Sequence, residues 1–464
     1  MKKLVSVCAA AVWLQVIAGA VPAAESECDF SRDAQFVQRY REAAVAIAKK
    51  KMAQCEAYRT SHLDALPKGI KPRLATGGNF SGYFLWDSAF CVLWARHTSK
   101  EEGFPVEETL DNFYILQKKS PDGFICREYS AKGNPFWSPD HPISFAPPIL
   151  SWAEIELFRA GRTDKSRIER VYPCLVRHHA ACRKRFRRAD GLYFGDALGS
   201  GMDDLPRWPH GMTNDERINS GGIPFTREVQ GIDNKGYYAR TVKSGRVSFY
   251  CWNRQAGWID MTSQMALDAK CLAEMAGALG KDDEAAAWRN EYTEIKDAVN
   301  RLCWDDELGF YCDVLNDGTT IKRRHAGAFW AMLAGLATPE RATRMRDAMM
   351  DEKLFFRAVP FPALPFSDPD YRPAKGYWCG RTWPPTNYVA IRALLAYGFK
   401  DDAEKAARRW YNACVRIWLD EGTCRENINP ETGAGCSGRD FCGWSALAPI
   451  AIPAEFGWLQ EAAE

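Results

Sequence analysis

The chain has 464 residues, of which 26% are charged and 46% are hydrophobic, and its formal net charge at pH 7 is +2. Because positive and negative charges nearly balance, the composition gives no indication of a nucleic acid or another polyanion as a partner. The chain is longer than a usual domain, but no Ser/Gly-rich linker, low-complexity tract or shift in composition divides it. We therefore expect a single domain over residues 24–464.

The N-terminus has the pattern of an export signal. Lys2 and Lys3 precede an apolar run from Leu4 to Ala20, and small residues suited to cleavage occur up to Ala23. We interpret residues 1–23 as a signal peptide and expect the mature protein to be periplasmic or secreted. The apolar run is too short, and is followed too soon by polar sequence, to predict a membrane anchor, so no membrane partner is expected.

Twelve amphipathic segments predict helices along the rest of the chain. Apolar residues recur in them at spacings of three and four, as Phe36, Tyr40, Ala44 and Ile47 do in the first. The predicted helices cover residues 33–58, 83–97, 105–118, 147–160, 164–187, 260–279, 282–302, 326–336, 339–350, 385–397, 401–419 and 441–452.

Short and long connections alternate between these helices. The short ones contain a glycine and then a capping residue, as in Gly161 followed by Asp164 and Gly335 followed by Thr338. The same pattern recurs at Gly103 and Pro105, at Gly280 and Asp282, and at Gly398 and Asp401. Hairpins joined in this way place their short turns at one end and their long loops at the other. Six pairs are enough to close a ring, so the sequence predicts an all-α fold, an (α/α)6 toroid with long loops at one end.

The longest connection covers residues 188–257 and is rich in Gly, Asn, Arg and aromatic residues. A loop of this length inside a compact domain is usually functional or disordered. We expect residues 188–257 to form a cap-like insertion over the long-loop end of the ring.

Cysteine and histidine contents bear on cross-links and metals. Of 16 cysteines, Cys8 lies in the predicted signal, and the odd remainder in an exported protein implies at least one free thiol or an intermolecular bond. Loop residues such as Cys424 and Cys436 are candidates for a disulfide, although the sequence assigns no pairing. No cysteine pair has zinc spacing and there are only 7 histidines. We expect no metal site and no cofactor.

The long loops mix aromatic residues with carboxylates. The densest stretches cover residues 82–87, 122–128, 200–208, 376–385 and 424–433, the last followed by Trp444. Aromatic rings stack on the C–H faces of a sugar, while carboxylates and guanidinium groups bind its hydroxyls. Cleavage of a glycosidic bond then needs two carboxyl groups, one protonated and one ionised. Because loops seldom carry so much aromatic surface without a ligand, these stretches indicate a carbohydrate partner.

Four motifs resemble a known group of enzymes. They are Trp86-Asp87, Gly201-Met202-Asp203-Asp204-x-Pro206-Arg207, Tyr377-Trp378-x-Gly380-x-x-Trp383-Pro384-Pro385-x-Asn387-Tyr388 and Glu426-Asn427-x-Asn429-Pro430-x-Thr432-Gly433. They are similar to the clan that holds trehalases, processing α-glucosidase I with its bacterial relatives, and mannosylglycerate and glucosylglycerate hydrolases. The resemblance spans almost the whole mature chain. It implies an (α/α)6 catalytic barrel that hydrolyses an α-glycoside with inversion.

The resemblance also implies roles for individual residues. Asp203 matches the general acid and Glu426 the general base. The expected substrate-binding residues are Tyr83, Trp86, Asp87, Arg127, Glu128, Tyr377, Trp378, Trp383 and Trp444. Relatives often carry Arg after the Tyr-Trp pair and Pro or Val before the later Trp, whereas this chain has Cys379 and Arg381. These departures affect the expected substrate more than the expected reaction.

Both catalytic assignments have rivals in the sequence. Asp204 adjoins Asp203, and the motif favours Asp203 as the acid, with Asp204 as a helper or a structural cap. Glu421 and Glu431 compete with Glu426, which lies beside Arg425 in a polar setting that would keep a base ionised.

The expected function is that of an exo-acting, inverting hydrolase that acts as a monomer. Its substrate would be an α-linked glucoside or mannoside of a short oligosaccharide or small glycoconjugate. A trehalase or a glucosyl- or mannosylglycerate hydrolase remains an alternative, because these differ only in the leaving-group subsite. A sugar epimerase would use histidines, which the motif loops largely lack, and a carbohydrate-binding pseudoenzyme would lack one of the two carboxylates. We expect Trp86, Asp203, Trp378 and Glu426 to converge at the long-loop end.

Overall fold

The computed structural model describes residues 29–78, 80–135, 146, 148–196, 199–211, 222–223, 252–253 and 256–459. The predicted signal peptide, residues 1–23, lies outside the described residues. So does most of the expected cap-like insertion, of which residues 188–196, 199–211, 222–223, 252–253 and 256–257 are described.

Twelve α-helices form in the described part of the chain. They are α1 (Ala34–Ser61), α2 (Leu85–Ala95), α3 (Val106–Gln117), α4 (Leu150–Arg159), α5 (Lys165–Phe186), α6 (Ile259–Leu279), α7 (Asp282–Leu302), α8 (Phe329–Leu333), α9 (Pro339–Met349), α10 (Pro384–Ala396), α11 (Lys400–Glu421) and α12 (Ala451–Glu455). Each predicted helix therefore has a counterpart, with most boundaries displaced by three residues or fewer.

Six segments pack side by side into a closed inner ring. Helices α2, α4, α6, α8 and α10 each contact the next, and a 3-10 turn at Trp444–Leu447 joins α10 back to α2. Every residue of α2 is buried, whereas α7, which lies outside the ring against α6, buries only one face. Helices that are apolar all round belong inside a fold, and helices with one apolar stripe belong at its surface. The predicted (α/α)6 toroid is confirmed.

The short turns follow the predicted chemistry only in part. Gly161 and Gly335 have φ values of 65° and 80°, in the left-handed region that glycine tolerates best. Asp164 and Thr338 cap α5 and α9 by accepting hydrogen bonds from the backbone N–H groups of the first turn. The predicted caps at positions 282 and 401 are wrong, because both aspartates lie inside the first turn of the helix. There the positive end of the helix dipole stabilises a carboxylate.

The last predicted helix, at 441–452, starts too early. Regular α-helix is confined to α12, and the turn at Trp444–Leu447 precedes it. Gly443 explains the delay, since its Cα packs against the backbone of Thr76 so closely that no Cβ would fit. Its carbonyl also accepts a hydrogen bond of 2.7 Å from the indole of Trp94. These tertiary contacts hold the chain in a non-helical path as it enters the ring.

Short antiparallel strand pairs shape the loops. Strand β1 (Tyr83–Phe84) pairs with β2 (Glu128–Tyr129). Strand β5 (Trp252–Asn253) lies between β3 (Gly195–Asp196) and β4 (Gly222–Ile223) and pairs with both. The other pairs are β6 (Ala256–Gly257) with β9 (Val314–Leu315), β7 (Trp304–Asp305) with β8 (Phe310–Tyr311), and β10 (Arg425–Ile428) with β11 (Gly435–Arg439). Among the helices that the structure describes, none is both long and apolar enough to cross a membrane.

The described cysteines carry free thiols. Cys424, a candidate for a bridge to Cys436, is buried beside Tyr40 and Cys414 instead. Burial raises the pKa of the Cys424 thiol to about 12, so it behaves as a small apolar side chain.

Candidate active site

Glu426 lies on an irregular strand pair that aims its side chain. The register between β10 and β11 shifts at this residue, so that Ser437 and Gly438 together oppose it. The N–H of Gly438 donates to Oε2 of Glu426 at 2.9 Å, and the hydroxyl of Tyr377 donates to Oε1. The indole N–H of Trp444 donates to the backbone carbonyl of Glu426 at 2.9 Å. The carboxylate and its backbone are thus held by contacts from three segments of the chain.

The electrostatic setting of Glu426 differs from the expectation. Burial raises the pKa of this carboxyl, and the hydrogen bonds from Tyr377 and Gly438, together with the charge of Arg381, lower it only in part. The neighbouring Arg425, expected to keep Glu426 ionised, instead forms an ion pair of 2.6 Å with Glu421. That expectation is wrong, because successive residues on a strand point to opposite faces.

A wall of aromatic rings backs this carboxylate. Trp378 stacks on Trp383 with ring centroids 3.9 Å apart and an interplanar angle of 4°. Tyr377 and Trp444 meet the same Trp383 edge-on, at 4.5 Å and 5.9 Å. Pro384 then starts α10, where a missing N–H costs nothing. Trp378 and Trp383 are fully buried, so they support Tyr377 and Glu426 from behind.

The loop that carries Asp203 and Asp204 is attached to this wall. The carboxylate of Asp204 accepts hydrogen bonds from the backbone N–H groups of Tyr377, at 3.2 Å, and of Trp378. The thiol of Cys379 donates to the backbone carbonyl of Asp204 at 3.1 Å. Asp204 therefore serves as the structural cap that was weighed as its alternative role. Its neighbour Asp203 is half-buried at the same turn.

Asp87 lies in the first turn of α2 and joins the cluster from the inner ring. Burial raises its pKa well above the ordinary value, and the negative charges of Glu426, Glu128 and Asp203 raise it further. The pKa of Tyr377 is raised by burial and by Glu426, Asp203 and Asp87. These interactions bring the carboxyl groups of Asp87, Asp203 and Glu426 into one cluster around Tyr377.

Trp86 meets the loop of Asp203 directly. Gly201 has a φ of 73°, and a Cβ there would lie 2.9 Å from the Trp86 indole. Glycine is therefore required on two grounds, the backbone angle and the close approach. Through Gly201 on one side and Asp204 on the other, the structure brings Trp86, Asp203, Trp378 and Glu426 together, as the alternation of loops predicts.

Arg127 and Glu128 lie beside α2. Glu128 pairs across strands β1 and β2 with Phe84, and the backbone carbonyl of Arg127 accepts a hydrogen bond of 3.0 Å from the N–H of Leu85. The two side chains form an ion pair of 3.1 Å. Burial raises the pKa of Glu128, and Arg127 lowers it only in part. Glu128 lies close enough to Asp87 for its charge to raise the pKa of that carboxyl, and the substrate-binding role of Arg127 and Glu128 stays a prediction.

The placement of Tyr83 contradicts the prediction for that residue. Its ring packs under the guanidinium of Arg73, 4.5 Å from the ring centroid, and lines a small cavity with Cys55 and Arg59 on the side of α1. Burial raises its pKa, with Arg73 and Arg59 lowering it in part. The neighbouring Phe84 occupies the other face of the strand. Alternation along β1 thus turns Tyr83 away from the cluster.

Residues 83–445 match a family model described as the mannosylglycerate hydrolase MGH1-like glycoside hydrolase domain. The chain belongs to this family. The match begins at Tyr83 and ends just after Trp444, so it contains every residue expected at the site. Membership of the predicted glycoside hydrolase clan is thereby confirmed.

Relatives of this glycoside hydrolase domain agree with the fold. A crystal structure of GH63 mannosylglycerate hydrolase from Thermus thermophilus, in complex with glucose, has a TM-score of 0.62 and 21% identity, covering 85% of this chain and 99% of that one. A neutral trehalase from Saccharomyces cerevisiae has a TM-score of 0.58 and 18% identity, covering 84% of this chain and 75% of that one. An uncharacterized protein of Borreliella burgdorferi is 23% identical over 285 residues, which are 61% of this chain and 50% of that protein. The chain thus spans half the length of this relative.

The family domain also contains an anchor that the sequence did not reveal. Arg207, from the motif of Asp203, is buried between Asp260 and Asp313 and lies 4.0 Å over the ring of Trp258. Its bond to Asp313 is 3.1 Å long. The two aspartates are 53 and 106 residues away and belong to no motif. The sequence signal that could have revealed this anchor is an isolated aspartate in an apolar stretch, because a buried carboxylate requires a cationic partner.

One group of side chains in the domain has the composition of a metal site. Ligand atoms of His210, Asp368 and Asp370 lie within 4.8 Å of one another. The guanidinium of Arg323 already occupies this space, 3.0 Å from Asp368, 2.8 Å from Asp370 and 2.7 Å from Nδ1 of His210. This cation pairs with both carboxylates, so the cluster is an ion-pair network among side chains.

Proposed function

We propose that this member of the family is an exo-acting glycoside hydrolase. It cleaves an α-linked glucoside or mannoside of a short oligosaccharide or small glycoconjugate, with inversion of configuration. The supporting observation is the meeting of three carboxyl groups, those of Asp87, Asp203 and Glu426, in one cluster backed by aromatic rings. Two of them satisfy the chemical requirement for an acid and a base at one glycosidic bond.

In the proposed reaction Asp203 protonates the departing glycosidic oxygen while Glu426 takes a proton from a water that attacks the opposite face of the anomeric carbon. The base must be ionised, and the hydroxyl of Tyr377 and the N–H of Gly438 both donate to its carboxylate. The acid is carried on a loop that Asp204 ties to the aromatic wall and Arg207 ties to the inner ring.

Trp86 and Asp87 are proposed to bind the sugar that is cleaved off. The indole nitrogen of Trp86 is buried and has no hydrogen-bond acceptor within the part of the chain that the structure describes. It is therefore available to donate to a sugar hydroxyl, and leaving it unmatched would be costly. Asp87 lies one residue further along α2 and supplies acceptors. The inner ring closes around these residues, which favours a pocket for one terminal sugar over an open cleft.

A trehalase or a glycerate-conjugate hydrolase is the alternative within the same proposal. The two structural relatives described above carry these names, and their difference lies on the leaving-group side. The experiment is a screen of α-linked glucose and mannose disaccharides and glycerate conjugates, with product anomers followed by NMR. An α-linked substrate should release the β-anomer first, whereas an initial α-anomer would exclude single displacement. Internal cleavage of a polymer before free monosaccharide appears would exclude exo action.

We also propose that the protein is exported from the cytoplasm and that it is a monomer. The support for export is the basic start and apolar run of residues 1–23. Expression in a Gram-negative host, followed by fractionation, should place activity outside the cytoplasm and show an N-terminus near residue 24. Size-exclusion chromatography with light scattering should give a mass close to that of one mature chain.

A further inference from the structure

Arg381 places a cation beside the site at a position where relatives often carry Pro or Val. It immediately precedes Thr382, whose backbone exchanges two hydrogen bonds of 3.0 Å with Ile428, so that the segment lies against strand β10. We propose that Arg381 is a positioning residue for Glu426, one that braces both strands of the β10–β11 hairpin and keeps the base ionised. This inference rests on the proposed function, because it assigns Arg381 a part in the same reaction.

The contacts of the guanidinium show how it braces the hairpin. Nη1 of Arg381 donates to Oδ1 of Asn427 at 3.2 Å and to Oγ of Ser437 at 3.1 Å, while Nε donates to the carbonyl of Pro373 at 3.0 Å. Asn427 directly follows Glu426 on β10. Ser437 directly precedes Gly438, the residue whose N–H binds the carboxylate of Glu426. Arg381 thus holds both sides of the irregular pairing that aims the base.

The charge of Arg381 is not cancelled locally. All three of its acceptors are neutral oxygens, and within the described residues no carboxylate lies within 4.0 Å of its guanidinium. Arg425 and Arg439 on the same hairpin differ, because both form ion pairs with Glu421, at 2.6 and 3.2 Å. A half-buried cation without a counter-ion acts on neighbouring ionisable groups, and Glu426 directly precedes Asn427, which the guanidinium contacts.

The groups that face Glu426 explain why this cation matters. Tyr377 donates a hydrogen bond to it, and the carboxyl groups of Asp87 and Asp203 belong to the same cluster, from α2 and from the loop after α5. Burial favours the protonated form of Glu426, which cannot act as a base. The hydrogen bonds from Tyr377 and Gly438 oppose this effect, and the charge of Arg381 also lowers the pKa of Glu426.

The test is the pH profile of kcat/KM for Arg381→Gln, Arg381→Lys and a control, Arg439→Gln, which removes one cation from the exposed side of the hairpin. In Arg381→Gln the acidic limb should move to higher pH, and the loss relative to wild type should grow as the pH falls. Arg381→Lys should return the limb toward its wild-type position, and Arg439→Gln should leave it in place. Loss of kcat/KM by one factor at every pH, with the limb unmoved, would show a merely structural role and overturn the inference.

A second measurement separates this inference from the proposed function. In protein labelled with ¹³C at the glutamate carboxyl carbons, the signal of Glu426 is assigned by its absence from Glu426→Gln and is followed against pH. Its midpoint should lie at higher pH in Arg381→Gln than in wild type, whether or not a substrate is known. An unmoved midpoint in an active enzyme would overturn the inference alone. A moved midpoint in a protein that cleaves no α-glycoside would overturn the proposed function alone.

Discussion

The carboxylate of Glu426 is held by donors from two different segments, the Tyr377 hydroxyl and the Gly438 N–H. Asp203 reaches the same cluster from a third segment. The different tasks proposed for the two carboxyl groups predict different substrate dependence. A base is needed for every substrate, because water must always be activated, whereas an acid is needed only when the leaving group requires a proton.

We expect Asp203→Asn to lose most of its activity on natural glycosides and to retain more on a glycosyl fluoride or nitrophenyl glycoside. Glu426→Gln should lose activity on both. Proton-transfer assistance is worth about 10²–10⁴-fold, and this sets the expected deficits. The control is Glu431→Gln, at an exposed turn residue that pairs with Arg357, which should keep wild-type kinetics. Deficits below about tenfold in the first two variants would mean that the roles are misassigned.

Tyr377 allows a test of the hydrogen bond to Glu426, the proposed base. Removing a donor to a charged group costs about 1.5–3 kcal/mol, so Tyr377→Phe should lower kcat/KM by about 10–100-fold. Loss of the donor should also move the acidic limb to higher pH, because the bond lowers the pKa of Glu426. Tyr371→Phe removes a comparable hydroxyl, 2.7 Å from the exposed Glu431, and should change neither quantity. Equal kinetics in the two variants would contradict the role of Tyr377.

At the scale of elements, the loop that carries Asp203, the proposed acid, is anchored by a buried ion-pair network. Arg207 connects this loop to Asp260 at the start of α6 and to Asp313 next to β9. Burial raises the pKa of Asp313, but Arg207 and His325 outweigh it and lower that pKa to about 2. The charge on Asp313 is therefore a stabilising part of the anchor at neutral pH.

We expect Asp313→Asn to destabilise the protein and to impair catalysis together. Breaking a buried pair costs about 3–5 kcal/mol, and the lower end is expected because Asp260 still partners Arg207. Thermal unfolding should show a clear fall in Tm, and a fluoride substrate should rescue part of the lost activity if the loop misplaces Asp203. Asp306→Asn changes an exposed pair with Arg344 and should alter stability by less than about 1 kcal/mol. A wild-type Tm for Asp313→Asn would refute the anchor.

The sequence predicts elements well where the determinants are local. The turn from Gly161 to Asp164 needs only a residue that tolerates positive φ and a residue that caps a helix. The predicted start of the last inner segment was wrong because the true start depends on a contact between Gly443 and the distant Thr76. The predicted direction of the Tyr83 side chain was wrong for the same reason, because its packing partner Arg73 is not evident from the spacing of residues in the sequence.

At the candidate site, too, the sequence predicted the features with local signals and missed those that depend on distant contacts. The motif loops that carry Asp203 and Glu426 meet as the alternation of connections predicts, and the catalytic roles of the two residues stay predictions. The sequence pointed to Arg425 as the cation beside Glu426, but Arg425 pairs with Glu421, whereas Arg381 contacts Asn427, the residue after Glu426. Arg381 and Asn427 are 46 residues apart, and pairings over such separations become visible only when the ring is closed.

At the scale of the whole molecule, a buried polar cluster joins four neighbouring helices. Ser151 of α4 donates to Asp268 of α6, and His179 of α5 contacts Asp268 at 2.6 Å and Glu291 of α7 at 3.1 Å. Burial lowers the pKa of His179, but the hydrogen bonds to the two carboxylates outweigh it and raise that pKa to about 9. Burial and the charge of His179 lower the pKa of the adjacent His178 to about 3, and the charge of Asp122 opposes them only in part.

These values predict how the stability of the ring depends on pH. A histidine whose pKa is raised on folding contributes stability fully below its unfolded pKa of about 6.5 and loses it as pH rises through the folded value. The free energy of unfolding should therefore fall between about pH 6.5 and about pH 9, by an amount on the order of 3 kcal/mol. His179→Gln should be less stable near the lower end of this window and should show a much smaller slope in urea titrations across it. His62→Gln, at the C-terminal end of α1, should keep the wild-type slope. A wild-type slope in His179→Gln would show that the proton on His179 is not the source of the pH dependence.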